Sequence, residues 1–260
     1  ALCAALLPGA APAAPPAVEV RLAYVGDAAD TALSGARQGL DEANVQGRFL
    51  GQAYSLEPLT LEAALAPPER PWVALVAAVP PASLAALAAA HPDAAVLNVS
   101  AGDDTLRADC RNNLLHVLPA ASMLAAAQAQ WRQANPQSAA RAQAWHPDFE
   151  KYAAAQLNIR YSKAHGQPMD DRAWAGWAAV KMVSDTVART RSATAADVLA
   201  HLRDDLAFDG QKGSEMSFRP NGQLRQPLLL VEDGKIVGEA PVRGVAADDP
   251  DSLGGGECAK

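Results

Sequence analysis

The side chains able to do chemistry in this chain are few and scattered. Ser100 follows an apolar run, in the stretch Asn98-Val99-Ser100-Ala101-Gly102. A nucleophile elbow needs glycine two residues before the serine, where the chain turns sharply, and Asn98 stands there instead. A hydrolase reading would rest on Ser100 alone. Cys110 lies near Arg107 and Arg111, whose charges would lower a thiol pKa. Asp103 and Asp104 could offer hard oxygen ligands, but acid pairs in loops are mostly just solvated. None of His91, His116, His146, His165 and His201 pairs with another at i,i+4 or sits beside a C-x-x-C, so spacing gives no zinc site. His116, in an apolar run, reads as a satisfied core or edge residue. The turn after the first strand is Gly26-Asp27-Ala28-Ala29-Asp30, with no dinucleotide fingerprint and two acids that would repel a pyrophosphate. No catalytic residue, metal or cofactor is assigned, and the expectation is a non-enzyme.

The elements that must position any site are clearer. Residues 18–25 alternate and read as a strand. Helical spacing of Leu33, Ala36, Leu40 and Ala43 follows over 30–44, with Asp30 or Thr31 as cap. A turn at 45–51 and a short strand at 52–59 come next, then a short helix at 61–65. The run 71–79 is continuously apolar, as strands buried on both faces are, 94–101 reads as another buried strand, and 82–90 between them is helical. A fifth extended piece spans 112–119. Helices are expected over 120–133, 149–164, 171–190 and 195–204, separated by a loop at 133–148. A β meander at 212–238 closes the chain, with Lys212, Glu215, Arg219 and Arg225 read as a solvated face. Alternating β and α with right-handed crossovers gives an α/β, doubly wound, mostly parallel sheet. In such sheets ligands sit beyond the carboxyl ends of the strands, near the switch point. The candidate ligand-binding residues are therefore Gly26, Asp27, Ala77, Ala78, Val79, Ser100, Ala101 and Gly102. Backbone amides at the following helix starts suit an anionic group such as a carboxylate.

Composition narrows the partners. The chain has 260 residues and a formal net charge of -7, which argues against nucleic acid. Residues 1–17, apolar and then Ala/Pro-rich, read as a signal-peptide remnant or a disordered tail. Cys3 would leave with a signal, or it could carry a lipid. Cys110 and Cys258 then remain, either as one disulfide or as two thiols. Residues 246–260 are acidic and Gly-rich and read as a flexible tail.

The stretch 20–51, with its Asp41-Glu42-Ala43-Asn44 helix end, resembles the opening of type I periplasmic solute-binding proteins of the Leu/Ile/Val-binding class. Residues 114–130 resemble that family's first crossing between lobes, and 149–187 its late helices. More narrowly, 208–230 with 110–119 resembles a branch associated with pyrroloquinoline-quinone-dependent alcohol catabolism. The resemblance implies a periplasmic substrate-binding component of an ABC transporter, with a small-molecule ligand and a permease as partner. The alternative is an accessory protein for a periplasmic quinoprotein dehydrogenase. A full member has a second lobe of on the order of 100 residues, yet only about a dozen separate Trp131 from Trp145. A single lobe over 18–245 with a deletion near 131–145 is therefore expected, leaving Trp174 and Trp177 at risk of exposure.

Overall fold

The computed structural model describes residues 18–254 and Cys258. The proposed signal remnant and Cys3 lie outside the described residues. The chain opens with β1 (Val18–Gly26), α1 (Thr31–Leu50), β2 (Gln52–Leu59), α2 (Leu61–Leu65), β3 (Ala74–Ala78), α3 (Pro81–Ala90), β4 (Ala95–Asn98), α4 (Asp104–Ala108) and β5 (Leu114–His116). These strands form one parallel sheet in the order β2-β1-β3-β4-β5. The order reverses at β1, which has β2 on one side and β3 on the other, so the switch point lies between β1 and β3. Strand alternation sends Val20, Leu22 and Tyr24 into the core shared with α1 and the later helices. It sends Ala23 and Val25 into the opposite layer, under α2 and α3. Every residue of β3 and β4 is buried, as two covered faces require.

The second half runs α5 (Ala121–Ala134), β6 (Arg141–Gln143), α6 (Ala154–His165), α7 (Asp171–Thr190), α8 (Ala195–Asp204), β7 (Leu228–Glu232) and β8 (Lys235–Ala240). β6, β7 and β8 make an antiparallel sheet, which packs Leu228, Leu230 and Ala240 against Met123 and Ala127 of α5. The chain thus crosses between the two sheets three times: after β5, after β6 and before β7.

α7 returns to the parallel sheet and lies along α1. Glycines permit the close approach. A Cβ at Gly35 would fall 1.8 Å from the Ala173 carbonyl, and one at Gly176 would fall 2.0 Å from that of Ala32. The helix starts are also cross-linked. Asp30 accepts from the Ala32 amide and Asp170 from that of Ala173, satisfying orphan donors. The Thr31 hydroxyl donates to Asp170, and Arg172 of α7 binds Asp30. Trp174 and Trp177 are buried at 0% and 2% exposure, not left open as expected.

Other expectations need correction. α1 continues through the supposed turn to Leu50 and ends on Gly51 with φ 66°, because the small Gly47 lets it pass close over the Gln52 carbonyl. The supposed loop at 133–148 contains β6, paired with β7. Within the closing stretch, Lys212 and Arg219 are buried at 4% and 8% exposure rather than solvated. Only β7 and β8 form a hairpin there. Residues 246–254, read as mobile, fold back instead. Leu253 is fully buried against α5, and Asp251 pairs with Arg219 and Arg225. Cys110 and Cys258 form a disulfide across 148 residues, with their Cα atoms 5.5 Å apart.

Candidate functional site

The carboxyl ends of β3 and β4 open into a cleft of about 370 Å³, lined by Ala78, Val79, Pro80, Pro81, Ser100, Ala101, Gly102, Asp103 and Arg172. Five of the eight sequence candidates, Ala78, Val79, Ser100, Ala101 and Gly102, line it together. Ala77 is fully buried beneath them. Gly26, at the end of β1, pairs with Ala78, so it and Asp27 stand beside the cleft and outside its lining.

Asn98 builds the loop that carries Ser100. Its carboxamide oxygen accepts from the Ser100 and Ala101 amides at 3.1 and 2.9 Å, and its nitrogen donates to the Ala101 carbonyl at 2.8 Å. The residue that spoils an elbow motif is thus the loop's organiser. The Ser100 hydroxyl donates to the Val79 carbonyl at 3.3 Å, joining the ends of β3 and β4. This serine's hydroxyl is engaged by a carbonyl, so the arrangement positions a polar rim. Asn98 also donates to Nδ1 of His116, 3.0 Å away. His116 is buried, and its pKa lies well below the usual imidazole value, chiefly through burial and then through the Arg107 charge. It is neutral, as a core partner should be.

Arg107 supports the loop from behind. The side chain is 1% exposed, and burial brings its guanidinium down to about 10. It donates to the carbonyls of Ala101, Asp103 and Leu118 and to Oε1 of Gln223. With its donors used in this way, and Cys110 in a disulfide, the activated-thiol idea has no basis. Asp104 is likewise engaged: its carboxylate accepts from the Ser122 amide and hydroxyl, at the start of α5.

Sequence reasoning missed Arg172, which reaches the rim from α7. Its Nε donates to Asp30 at 3.0 Å, and 41% of its side chain remains exposed. It sits far along the chain from Ser100 and in no motif. The one available signal was its place in the first turn of a helix capped by Asp170. The assembled cleft holds backbone groups, one hydroxyl, one guanidinium and the Asp103 carboxylate. Such a set can orient a small polar solute by hydrogen bonds and charge.

A five-stranded, mostly parallel α/β sheet with its cleft at the strand ends is the fold of the periplasmic binding proteins. No family model matches the chain, and no curated protein matches it. Among solved structures, a branched-chain amino acid ABC transporter periplasmic ligand-binding protein from Burkholderia xenovorans superposes with a TM-score of 0.73 at 11% identity, covering 90% of this chain and 96% of that one. A leucine-binding protein from Thermotoga maritima superposes at 0.64 with 12% identity, over 84% of this chain and 97% of that one. An ABC transporter solute-binding protein from R. palustris, in complex with benzoate, superposes at 0.64 with 12% identity, over 85% and 95%.

Proposed function

We propose that this chain is an exported, non-enzymatic solute-binding protein that presents a small carboxylate-bearing solute to an ABC transporter permease in the periplasm. The observation that carries the reading is the cleft, where Ser100 and Arg172 face a rim of strand-end backbone at the switch-point side of the sheet. The structural neighbours support it, since the Thermotoga maritima protein is a leucine-binding one and the R. palustris protein holds benzoate, and both solutes are carboxylates. A fixed guanidinium is a good carboxylate partner. Gly26, Asp27 and Ala77 contribute by shaping the strand ends rather than by touching the solute. The likeness of residues 208–230 to a branch tied to pyrroloquinoline-quinone-dependent alcohol catabolism suggests acids derived from alcohols as solutes. The short antiparallel sheet β6–β8 stands, on this reading, for a reduced second lobe.

Titration calorimetry with leucine, benzoate, short aliphatic carboxylates and the matching alcohols tests the proposal. Carboxylates should bind, alcohols of the same shape should not, and Arg172→Gln should abolish binding while near-UV circular dichroism shows the native fold. Carboxylate binding that survives Arg172→Gln would refute the assignment. A second reading, an accessory protein for a quinoprotein dehydrogenase, is favoured by one observation. Val18, Val45, Phe49 and Leu50 leave apolar side chains exposed around the end of α1, with Phe49 at 87%. That reading predicts no solute binding and retrieval of the dehydrogenase by the immobilised protein, lost in Phe49→Ser.

A further inference from the structure

The three crossings between the two sheets meet in one buried polar cluster. At the first crossing, the Val117 carbonyl accepts from Nε2 of Gln226 at 2.6 Å. At the second, the Trp145 amide donates to Oδ1 of Asp171 at 2.6 Å. At the third, the Pro227 carbonyl accepts from Nζ of Lys212 at 3.1 Å, and the same ammonium donates to Oε1 of Gln226 at 2.7 Å. Two stacked indoles complete the cluster. Trp145 lies on Trp174 with ring centroids 5.9 Å apart and planes within 12°, and Lys212 Nζ stands 4.0 Å over the Trp174 ring. Gln226 and Trp174 are fully buried, Trp145 is 1% exposed and Lys212 4%.

Rotation of one sheet against the other requires the crossing segments to change their φ and ψ. Here each crossing has a backbone group held by a side chain anchored elsewhere. Rotation would strip these groups of partners at a seam where Gln226 and Lys212 are buried, and unpaired buried polar groups are costly. Gln226 couples the first and third crossings directly, through its hydrogen bond to the Val117 carbonyl, and Lys212 holds the Gln226 carboxamide in place. Asp171, in the first turn of α7, ties the second crossing to the helix that carries Trp174. A neutral amine at Lys212 would still supply two donors for its two oxygen acceptors, so the link does not depend on its charge.

We propose that Lys212, Gln226 and Asp171 form a latch that fixes the relative setting of the two sheets, so that the cleft is preformed and does not close by hinge rotation. The proposal concerns the crossings and is independent of which solute the cleft takes.

The test is a distance measurement on the full chain. Spin labels placed at Ala89→Cys on α3 and Val237→Cys on β8, in a Cys3→Ser background, report the separation of the sheets by pulsed dipolar spectroscopy. The latched protein gives one narrow distance distribution. Gln226→Leu and Lys212→Met, each checked for native near-UV circular dichroism, should broaden it or split it into two populations. A broad or two-peaked distribution in the unsubstituted latch would overturn the proposal. So would folded Gln226→Leu and Lys212→Met proteins that keep the narrow one. Should neither variant fold, hydrogen exchange on the unsubstituted protein decides. The Trp145 amide should be protected as strongly as the amides of β3 and β4, and exchange much faster than theirs would overturn the latch.

Discussion

Raising the pH from 7 to 9 should stabilise this protein, against the common expectation for an acidic chain. Lys212 is the reason. Burial pushes its ammonium down to about 7, with the Asp171 carboxylate opposing the shift only in part. In the unfolded chain a lysine titrates at about 10.4. Between these values the unfolded state holds more protons than the native state, so stability rises with pH. The sign follows from a base whose folded pKa is lowered. The cost of burying its charge is present in full below pH 7 and is relieved as the pH climbs toward 10.4. Integrating the two titrations from pH 7 to pH 9 gives a gain of about 2 kcal/mol from this group alone. The window ends before the tyrosines matter. Tyr24 and Tyr54 are pushed above the usual phenol value, mainly by burial, and raised acids lose stability only above about pH 10. Urea unfolding at pH 7, 8 and 9, followed by tryptophan fluorescence, reads the slope. Lys212→Met removes the titrating group, so its curve should stay flat over the same range, whatever its absolute stability. Parallel slopes in the two proteins, or a fall with pH in the unsubstituted chain, would refute the reasoning.

Gly35→Ala should destabilise by about 2 kcal/mol or more, because overpacking at a backbone contact outweighs the helix-propensity gain; thermal melting measures it. Reduction of Cys110–Cys258 should lower stability by up to about 5 kcal/mol on the chain-entropy estimate for so long a loop, read from urea curves with and without reductant. Arg107→Met should cost about 3 kcal/mol, since four acceptors lose their donor at once; denaturation with the disulfide intact checks it. His116, held neutral, should make stability fall as the pH drops below about 6.5, where the unfolded imidazole takes up its proton first, and His116→Phe should reduce that slope.

The parallel sheet was legible because β3 and β4 are buried on both faces, β3 in an unbroken apolar run and β4 opening on one. The helices were legible from spacing and caps. What escaped was decided by partners far along the chain. α4 and β6 are too short to show a period. The Lys212 and Arg219 side chains look like surface charge until Gln226, Trp174 and the 250–254 turn are seen around them. The strand ends were readable by rule, and five of their residues do line one cleft. Arg172 was not readable, because only the α1–α7 crossing brings it there. The stretch 208–230 stood out as a signature, yet its residues do no chemistry. Gln223 and Gln226 bind the backbone of 116–118. Gly222, at φ 78°, passes so close to the Leu114 carbonyl that a Cβ would sit 2.3 Å from it.

The joining of α1 to α7 has a kinetic consequence. Thr31 and Asp170 meet across 139 positions of chain, Gln223 bridges to His116 at the edge of β5, and the disulfide spans a similar distance. Each element made early is therefore completed by one made late. Such non-local topology slows folding, because long loops must close before the contacts reward them. A chain delivered amino end first would carry the apolar face of α1 uncovered until α7 follows. Truncation before residue 222 would remove the Gln223 bridge at the outer edge of β5, and the collapse of this protein is timed by its carboxyl-terminal third.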